Sequence, residues 1–224
     1  TYPIFETIVI DDASKDESRS VIDRVVAASR REVTKLYSAT NSGSVYAQWA
    51  RAAEIASGEL LWIAEADDLA AQTLVERVAA LHEGADMAFA FCDSRAIDEN
   101  GWQIMDSYKP YAAVESKDLL QKDEVFDALD FARRVIATKN LILNGSAVVW
   151  NLQAFRAALS AVSATLKGYR LAGDWLLYAQ ACRAPGARVG YVSDPLNVHR
   201  RHQVSVTGSI DAAAHLSEIK NAQA

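Results

Sequence analysis

A short apolar run followed at once by three carboxylates constrains the fold of this chain most. Residues 60–64 are all apolar, and Glu65, Asp67 and Asp68 follow directly. A short apolar run bounded by polar residues is typical of a strand buried on both faces, as in a parallel sheet. Ligands of open α/β sheets bind beyond the carboxyl ends of such strands. The run therefore predicts a buried strand that ends at a ligand-binding edge.

The three acids allow two interpretations. Carboxylates this close repel one another unless a cation or hydrogen-bond donors offset them. Mg²⁺ and Mn²⁺ take carboxylate oxygens and also bridge phosphates, which indicates a metal–diphosphate site. Acidic residues are also common at helix starts, so the stretch could instead be a loop that caps a helix beginning near Ala70. On this stretch alone both interpretations stay open.

Composition excludes several classes of function. The chain has 224 residues, a net charge of −6 and 50% apolar residues. An acidic protein lacks the basic stripe that broad contact with nucleic acid requires. Cys92 and Cys182 lie far apart in apolar surroundings, which predicts buried free thiols in a reducing compartment. No apolar run reaches membrane-spanning length and no signal peptide is visible, so we expect a cytoplasmic protein, or a soluble piece of a larger one.

Strands and helices alternate in the first half of the sequence. Apolar runs predict strands at residues 5–10, 33–37, 60–64 and 87–91. Helical spacing predicts a helix capped by Ser14 or Asp16, followed by helices at residues 45–57 and 70–81. Such alternation is typical of βαβ units, and it predicts a parallel sheet flanked by helices.

The second half is less regular. Residues 105–123 show no period and are interpreted as a long loop. Helices are expected at residues 123–135, after Asn151, and from Gly173, and strands are expected at residues 145–150 and 188–192. Residues 196–202 end in a basic cluster. Trp49, Trp62 and Trp150 are interpreted as core residues. An Ala-rich tail from about Ile210 is interpreted as a peripheral helix.

A second acid pair, Asp11-Asp12, follows the first predicted strand. Adjacent strand residues point to opposite sides, so only one of the two should face a ligand crevice. The pair could accept hydrogen bonds from a nucleotide base or ribose, cap a helix, or begin a phosphoacceptor receiver domain. Two acid sets at the ends of two parallel strands would surround one nucleotide. The receiver interpretation leaves the chain beyond about residue 120 unexplained.

Together these motifs resemble family 2 glycosyltransferases of the GT-A fold. The resemblance is carried by residues 5–14 (Phe-Glu-Thr-Ile-Val-Ile-Asp-Asp-Ala-Ser), 41–43 (Asn-Ser-Gly) and 56–68 (Ala-Ser-Gly-Glu-Leu-Leu-Trp-Ile-Ala-Glu-Ala-Asp-Asp). It implies one α/β domain over residues 1–224, with a Rossmann-like, mostly parallel sheet flanked by helices. Residues 1–98 would form the nucleotide-binding half, residues 99–210 the acceptor and catalytic half, and residues 211–224 a tail.

The resemblance also implies a function and a site. The family transfers a sugar from a nucleotide-diphosphate donor, usually with Mg²⁺ or Mn²⁺ and with inversion, here to a glycan or lipid-linked acceptor in polysaccharide assembly. The implied nucleotide contacts are Asp12, Ser14, Asn41, Asp67 and Arg200. The implied metal ligands are Asp68, Glu65 and His199, with Glu65 standing where many members have Asp.

Asp174 occupies the position of the family's catalytic base, which takes the proton of the acceptor hydroxyl. Taken without the resemblance, Asp174 fits a helix cap better. The basic cluster at residues 199–202 resembles the segment that closes over the diphosphate, or is a solvated loop. Asn144, Gly145 and Ser146 lie where the family positions the donor sugar or the acceptor.

One departure from the family concerns the start of the chain. Family members normally have a strand and a helix before the segment that matches Phe5, and that strand lies inside the sheet. We therefore expect an N-terminally truncated sheet with unpaired backbone groups, possible homo-oligomers through that gap, and weak or absent catalysis. A non-catalytic nucleotide-sugar-binding or assembly module is the alternative function. Binding of a nucleoside diphosphate without sugar transfer would favour this alternative.

Overall fold

The computed structural model of the chain describes residues 2–202 and 212–223. Strands in these residues are β1 (Ile8–Asp11), β2 (Thr34–Tyr37), β3 (Leu60–Trp62), β4 (Leu69–Ala70), β5 (Met87–Asp98), β6 (Gln103–Met105), β7 (Glu124–Asp127), β8 (Val148–Asn151) and β9 (Arg188–Arg201). The α-helices are α1 (Ser18–Ala28), α2 (Val45–Ile55), α3 (Leu74–Ala79), α4 (Lys109–Ala113), α5 (Ala128–Phe131), α6 (Leu152–Leu166), α7 (Gly173–Ala181) and α8 (Ala212–Gln223). The predicted tail helix is present as α8, and its expected first residue, Ile210, lies outside the described residues.

The strands form two sheets flanked by helices, which confirms the predicted α/β class. Strands β1 and β2 pair in parallel. The larger sheet has the order β3-β8-β5-β9-β4, with β6 added to β5 and β7 to β9. In it only β5 and β9 pair in parallel; the other pairs are antiparallel. The prediction of a mostly parallel sheet is therefore wrong in detail, because β8 enters between β3 and β5 from the opposite end instead of through a βαβ crossover.

Strands β1 and β3 each have one edge without a backbone partner in the described part of the chain. Strand β1 pairs with β2 alone, and β3 pairs with β8 alone. Residues of both strands, among them Ile8, Ile10, Leu60 and Leu61, border one common cleft. The site described below opens into this cleft.

Predicted elements of the first half are confirmed with shifted ends. The helix expected at residues 70–81 begins only at Leu74, because Leu69 and Ala70 pair with Val198 and Asn197 of β9. The backbone N–H of Ala71 continues this pairing by donating to the carbonyl of Leu196 at 2.8 Å. The residues after the acid cluster are thus tied to β9 before α3 starts.

The second half departs further from prediction. The helix expected at residues 123–135 starts as strand β7, which pairs with β9 and buries Phe126 while Val125 is exposed. Asp127 then caps α5 by accepting from the N–H groups of Leu129 and Asp130. The expected loop at residues 105–123 contains α4, with Pro110 in its first turn. The strand expected at residues 145–150 begins as a 3₁₀ turn, Gly145–Ala147, before β8.

An aromatic cluster fills the core between the sheet and helices α6 and α7. Trp150 stacks on Tyr178 with ring centroids 5.3 Å apart, and Phe89 and Phe155 each lie 4.9 Å from Trp150. Such pairs stabilise a core beyond the area they bury. Trp49 is buried as predicted, while Trp62 is partly buried against a second apolar cluster on the other face of the sheet.

Two polar contacts fix α2, the helix that carries part of the site. Arg156 of α6 donates to the carbonyls of Ala53 at 2.8 Å and Ala56 at 2.6 Å, which occupies carbonyls left unpaired at the end of α2. Both cysteines are buried free thiols, as predicted. In residues 2–202 and 212–223, no helix has the length and apolarity to cross a membrane.

Candidate active site

Most of the predicted site residues lie around the cleft between the two sheets. The cleft is lined by members of both acid sets, by the start of α7 and by the end of β9. Of the predicted site residues in the described chain, those that line it are Asp12, Asn41, Glu65, Asp67, Asp174, His199 and Arg200. Ser14 and Asp68 are not among its lining residues, although Asp68 belongs to the acid cluster at its edge.

The two acids at the end of β1, Asp11 and Asp12, face different surroundings, as their alternation predicts. Asp11 is 4% exposed and accepts from the guanidinium of Arg19 at 2.6 Å. The backbone N–H of Ser14 also donates to Asp11, at 3.2 Å. Hydrogen bonds from Ser14 and Arg19 hold the pKa of Asp11 below its ordinary value. Asp11 therefore fixes the turn structurally, while Asp12 is the acid that borders the cleft.

Asp12 is held in one orientation by the Asn-Ser-Gly turn and by α2. Its Oδ2 accepts from the backbone N–H of Ser42 at 2.9 Å and from the Ser42 hydroxyl at 2.6 Å. Its Oδ1 accepts from the amide of Gln48 at 2.8 Å. The Asn41 amide donates to the carbonyl of Asp12 at 2.7 Å, and Asn41 Oδ1 accepts from the N–H of Gly43. Asn41 thus shapes the loop that presents Asp12.

The acid cluster after β3 has the composition of a hard-cation site. Glu65, Asp67 and Asp68 each offer a carboxylate oxygen, and these oxygens all lie within 4.8 Å of one another. Burial, followed by the charges of Asp68 and Asp67, raises the pKa of Glu65 to about 7. A bound divalent cation would relieve this repulsion, and oxygen ligands are those that Mg²⁺ and Mn²⁺ prefer. The residues present therefore fit the implied metal.

The end of β9 lies against this cluster. The backbone N–H of Arg200 donates to Asp68 Oδ1 at 2.9 Å. The Arg200 guanidinium donates to the carbonyls of Asp67 at 2.9 Å and Asp98 at 3.2 Å. His202 Nε2 lies 3.2 Å from Asp67 Oδ2. Arg200 thus holds the acid loop through backbone contacts, while the neighbouring Arg201 also borders the cleft.

His199 is anchored on the side of α4. Its Nδ1 lies 2.8 Å from the hydroxyl of Tyr108, whose backbone N–H donates to Asp93 at 3.1 Å. Burial lowers the pKa of His199, which favours the neutral ring. Within the described chain, the group of donors that are mutually within 4.8 Å does not include His199. A metal at Nε2 requires the tautomer in which Nδ1–H donates to Tyr108.

Asp174 projects into the cleft from the first turn of α7. Ala172 occupies the capping position of this helix, so Asp174 is not its cap. Its Oδ1 accepts from the N–H of Trp175 at 2.7 Å, and its Oδ2 accepts from the amide of Asn140 at 3.2 Å. Burial raises the pKa of Asp174 to about 7. A carboxylate with this pKa can take up and release a proton near neutral pH.

The start of α7 is clamped from two sides. The Tyr46 hydroxyl accepts from the N–H of Gly173 at 3.0 Å and donates to the carbonyl of Leu171 at 2.8 Å. A Cβ at Gly173 would lie 2.5 Å from the Tyr46 ring, so only glycine fits there. The carboxylate of Glu218 on α8 accepts from the backbone N–H groups of residues 170–172 at 2.9–3.0 Å. The expected peripheral tail therefore helps to place Asp174.

No role was predicted for Gln48, Tyr108 or Asn140, and Ser42 was named only as part of the Asn-Ser-Gly motif. Each of these four residues acts by holding a predicted residue. A usable signal existed only for Asn140, because Asn side chains commonly accept from a backbone N–H two residues later.

Comparisons with known proteins identify the family and the fold of this chain. A sequence model described as "Glycosyl transferase family 2" matches residues 1–138. The structure of S. aureus TarS 1-349 in complex with UDP-GlcNAc is similar, with 16% identity, a TM-score of 0.62, and coverage of 92% of this chain and 52% of that one. TarS 1-349 in complex with UDP gives 16% identity and a TM-score of 0.59, with coverage of 88% and 51%.

The chain thus spans about half the length of these solved structures. No curated protein matches the sequence. At this identity the structural similarity establishes the fold, which is of the GT-A type. The family model covers more than half of the 224 residues and includes both acid sets. The chain belongs to glycosyl transferase family 2.

Proposed function

We propose that this chain transfers a sugar from a nucleotide-diphosphate sugar to a glycan or lipid-linked acceptor, with inversion and with Mg²⁺ or Mn²⁺. The observation that carries the proposal is that Asp12, Glu65, Asp67 and Asp174 line one cleft. Asp12 comes from the end of β1, and Glu65 and Asp67 come from the end of β3. Asp174, which belongs to neither acid motif, borders the same cleft from α7. In the division expected from the family resemblance, Asp12 and the acid cluster would belong to the nucleotide-binding half, residues 1–98, and Asp174 to the acceptor half, residues 99–210.

The nucleotide would bind at the end of the cleft where Asp12 is held. Asp12 retains one acceptor site, on Oδ1, for the base, and Asp67, which is exposed, is available to the ribose or the metal. Similar structures hold UDP and UDP-GlcNAc, which supports a uridine diphosphate as the first donor to test. Arg200 and Arg201 border the cleft beside the acid cluster. The Arg200 guanidinium already donates to the carbonyls of Asp67 and Asp98, so Arg201 is the arginine that would face the diphosphate.

Glu65, Asp67 and Asp68 would hold the cation, with His199 as a further candidate. A bound divalent cation supplies positive charge that offsets the charge developing on the leaving diphosphate. The chain's part is to keep Asp68 oriented, since the N–H of Arg200 and the amide of Asn144 each donate to one of its oxygens.

Asp174 would act as the base. The acceptor oxygen forms a bond to the anomeric carbon while the bond from that carbon to the diphosphate oxygen breaks, and the acceptor proton passes to Asp174. Attack opposite the leaving group inverts the anomeric centre. A pKa of about 7 leaves Asp174 substantially ionised at neutral pH and still basic enough to accept the proton.

Thermal stability in the presence of nucleotides tests this function. We expect UDP with Mn²⁺ to raise the melting temperature more than either component alone, because a ligand that binds only the folded state stabilises it. Uridine, which lacks the diphosphate, is the matched control. Equal melting temperatures with UDP plus Mn²⁺ and with uridine plus Mn²⁺ would contradict a diphosphate site. Binding without turnover of any nucleotide sugar would favour the non-catalytic alternative.

The unpaired edges of β1 and β3 support a proposal about assembly. Both edges border the cleft, and the nearby Phe5 side chain is 80% exposed. Unpaired strand edges beside apolar surface favour pairing with another chain. We therefore expect this chain to form homo-oligomers whose mass rises with concentration in sedimentation equilibrium. A monomer throughout the micromolar range would refute this expectation.

A further inference from the structure

One short segment contacts carboxylates on both sides of the cleft. We infer that residues 140–146 position the candidate base Asp174 and the candidate metal ligand Asp68 relative to each other, with Asn140 and Asn144 as the positioning residues. This inference rests on the proposed function. The segment follows the part of the chain that the family model matches, residues 1–138.

Asn144 connects the segment to the acid cluster. Its Oδ1 accepts from the backbone N–H of Ser146 at 3.1 Å, so its amide nitrogen must face the other way. That nitrogen donates to Asp68 Oδ2 at 2.7 Å and to Asn197 Oδ1 at 2.9 Å. Asn144 is 4% exposed, and water therefore does not compete for these hydrogen bonds. The orientation of one Asp68 oxygen is thus set from the segment.

Asn140 repeats the same arrangement four residues earlier. Its Oδ1 accepts from the backbone N–H of Ile142 at 3.0 Å, and its amide nitrogen donates to Asp174 Oδ2 at 3.2 Å. Both asparagines thus use the oxygen for a local turn and the nitrogen for a carboxylate. A hydrogen bond donated to a carboxylate favours its ionised form, which is the form that a base needs.

Further contacts make the segment a rigid spacer. The Ser146 hydroxyl accepts from the N–H of Glu65 at 3.0 Å, and the Ser146 carbonyl accepts from Trp62 Nε1 at 2.8 Å. A Cβ on Gly145 would lie 3.0 Å from the Trp49 ring, so the backbone is closely packed there. Leu141 and Ile142 are buried in the core. The distance between the two asparagines is therefore fixed by packing.

The network behind Asn144 extends into the sheet. Asn197 of β9 is fully buried, and its Oδ1 also accepts from the Ser94 hydroxyl of β5 at 3.0 Å. The Asn144 nitrogen thus has one partner in the sheet and one in the acid cluster. By this route Asp68 is connected to strands β5 and β9 of the larger sheet.

Both the local turn and the contact with a carboxylate use the asparagine side chain, but only the contact with the carboxylate needs its amide nitrogen. A turn of this type needs only a side-chain acceptor, which Ser or Thr also supplies. The amide nitrogens of Asn140 and Asn144 instead donate to the carboxylates of Asp174 and Asp68. Asn140→Ser and Asn144→Ser therefore keep the turn and remove the donor. Asn221→Ala, on the exposed face of α8, is the control for loss of an asparagine.

Two measurements made without a sugar donor test the inference. Carboxyl ¹³C NMR follows the titration of Asp174, around which the titratable groups are Glu65, Tyr46 and Tyr178. Electron paramagnetic resonance of free Mn²⁺ gives the metal affinity. We expect Asn140→Ser to raise the pKa of Asp174 and leave Mn²⁺ affinity unchanged. We expect Asn144→Ser to weaken Mn²⁺ binding by about tenfold, as loss of an outer-shell hydrogen bond does, and leave the titration of Asp174 unchanged.

The inference would be overturned if either serine variant changed both the pKa of Asp174 and the Mn²⁺ affinity, or changed neither. If a serine variant fails to fold, Asn140→Thr and Asn144→Thr give the same tests, since each keeps a turn acceptor, removes the amide donor and adds no charge. If the wild-type protein binds no Mn²⁺, the proposed function fails and the Asn144 half of the inference is overturned. The titration of Asp174 in the Asn140→Ser variant would still test whether Asn140 positions Asp174.

Discussion

The Asp174→Asn variant is expected to transfer sugar about 10²- to 10⁴-fold more slowly than the wild-type chain, which is the usual contribution of a general base. Asparagine has nearly the same shape and can still accept from the N–H of Trp175, but it cannot take the acceptor proton. Affinity for UDP and Mn²⁺ is expected to be unchanged, because Asp174 belongs to neither acid motif. Steady-state kinetics and calorimetric titration with UDP and Mn²⁺ measure the two quantities separately.

Asp118→Asn, at an exposed position, is the matched control and should leave the rate unchanged. The wild-type rate should fall as pH is lowered through about 7, because burial raises the pKa of Asp174 to about 7 and the base must be ionised. Since its folded pKa lies above the unfolded value, stability contributed through Asp174 is present at acid pH and is lost as pH rises to about 7. An Asp174→Asn variant with undiminished kcat would refute the role.

The Asp68→Asn variant is expected to weaken Mn²⁺-dependent UDP binding by at least about tenfold, since even outer-shell substitutions at metal sites cause losses of this size. Asp68 shares its cluster with Glu65 and Asp67, and its two oxygens are oriented by Arg200 and Asn144. Calorimetric titration of UDP with and without Mn²⁺ measures the effect. The metal-independent part of the affinity should persist, because it depends on Asp12.

Asp118→Asn again serves as the control for removal of a carboxylate. If Asp68→Asn binds UDP equally well with and without Mn²⁺ while the wild-type chain shows a metal-dependent increase, the assignment of Asp68 is supported. If the variant retains the full metal-dependent increase, Asp68 is not a ligand. The cation would then be held by other groups at the cleft.

The sequence predicted the parts of this protein that depend on local pattern. Buried runs and helical spacing located β1, β2, β3 and α2 in the order that brings two acid sets to one cleft. The helix expected at residues 123–135 was wrong at its start, because pairing of Glu124–Asp127 with β9 prevailed over local propensity. The position of β8 between β3 and β5 could not be predicted, since a strand's pattern does not reveal its neighbours.

The features of the site that could not be predicted depend on contacts between residues far apart in the sequence. Arg200 has the charge of a phosphate ligand, but β9 carries it past the acid loop, where its guanidinium reaches backbone carbonyls. Asn140 and Asn144 lie 34 and 76 residues from the carboxylates that they contact. A single sequence does not reveal such pairs, because an Asn or Asp side chain can form hydrogen bonds with many other kinds of partner.

Anomalous diffraction from crystals soaked with UDP and Mn²⁺ tests the central claim most directly. We expect one manganese peak that contacts carboxylate oxygens of the Glu65, Asp67 and Asp68 cluster and oxygens of both phosphates, with the uracil near Asp12 and the distal phosphate on the side of Asp174. A peak away from the acid cluster, or a uridine diphosphate whose base does not approach Asp12, would contradict the account.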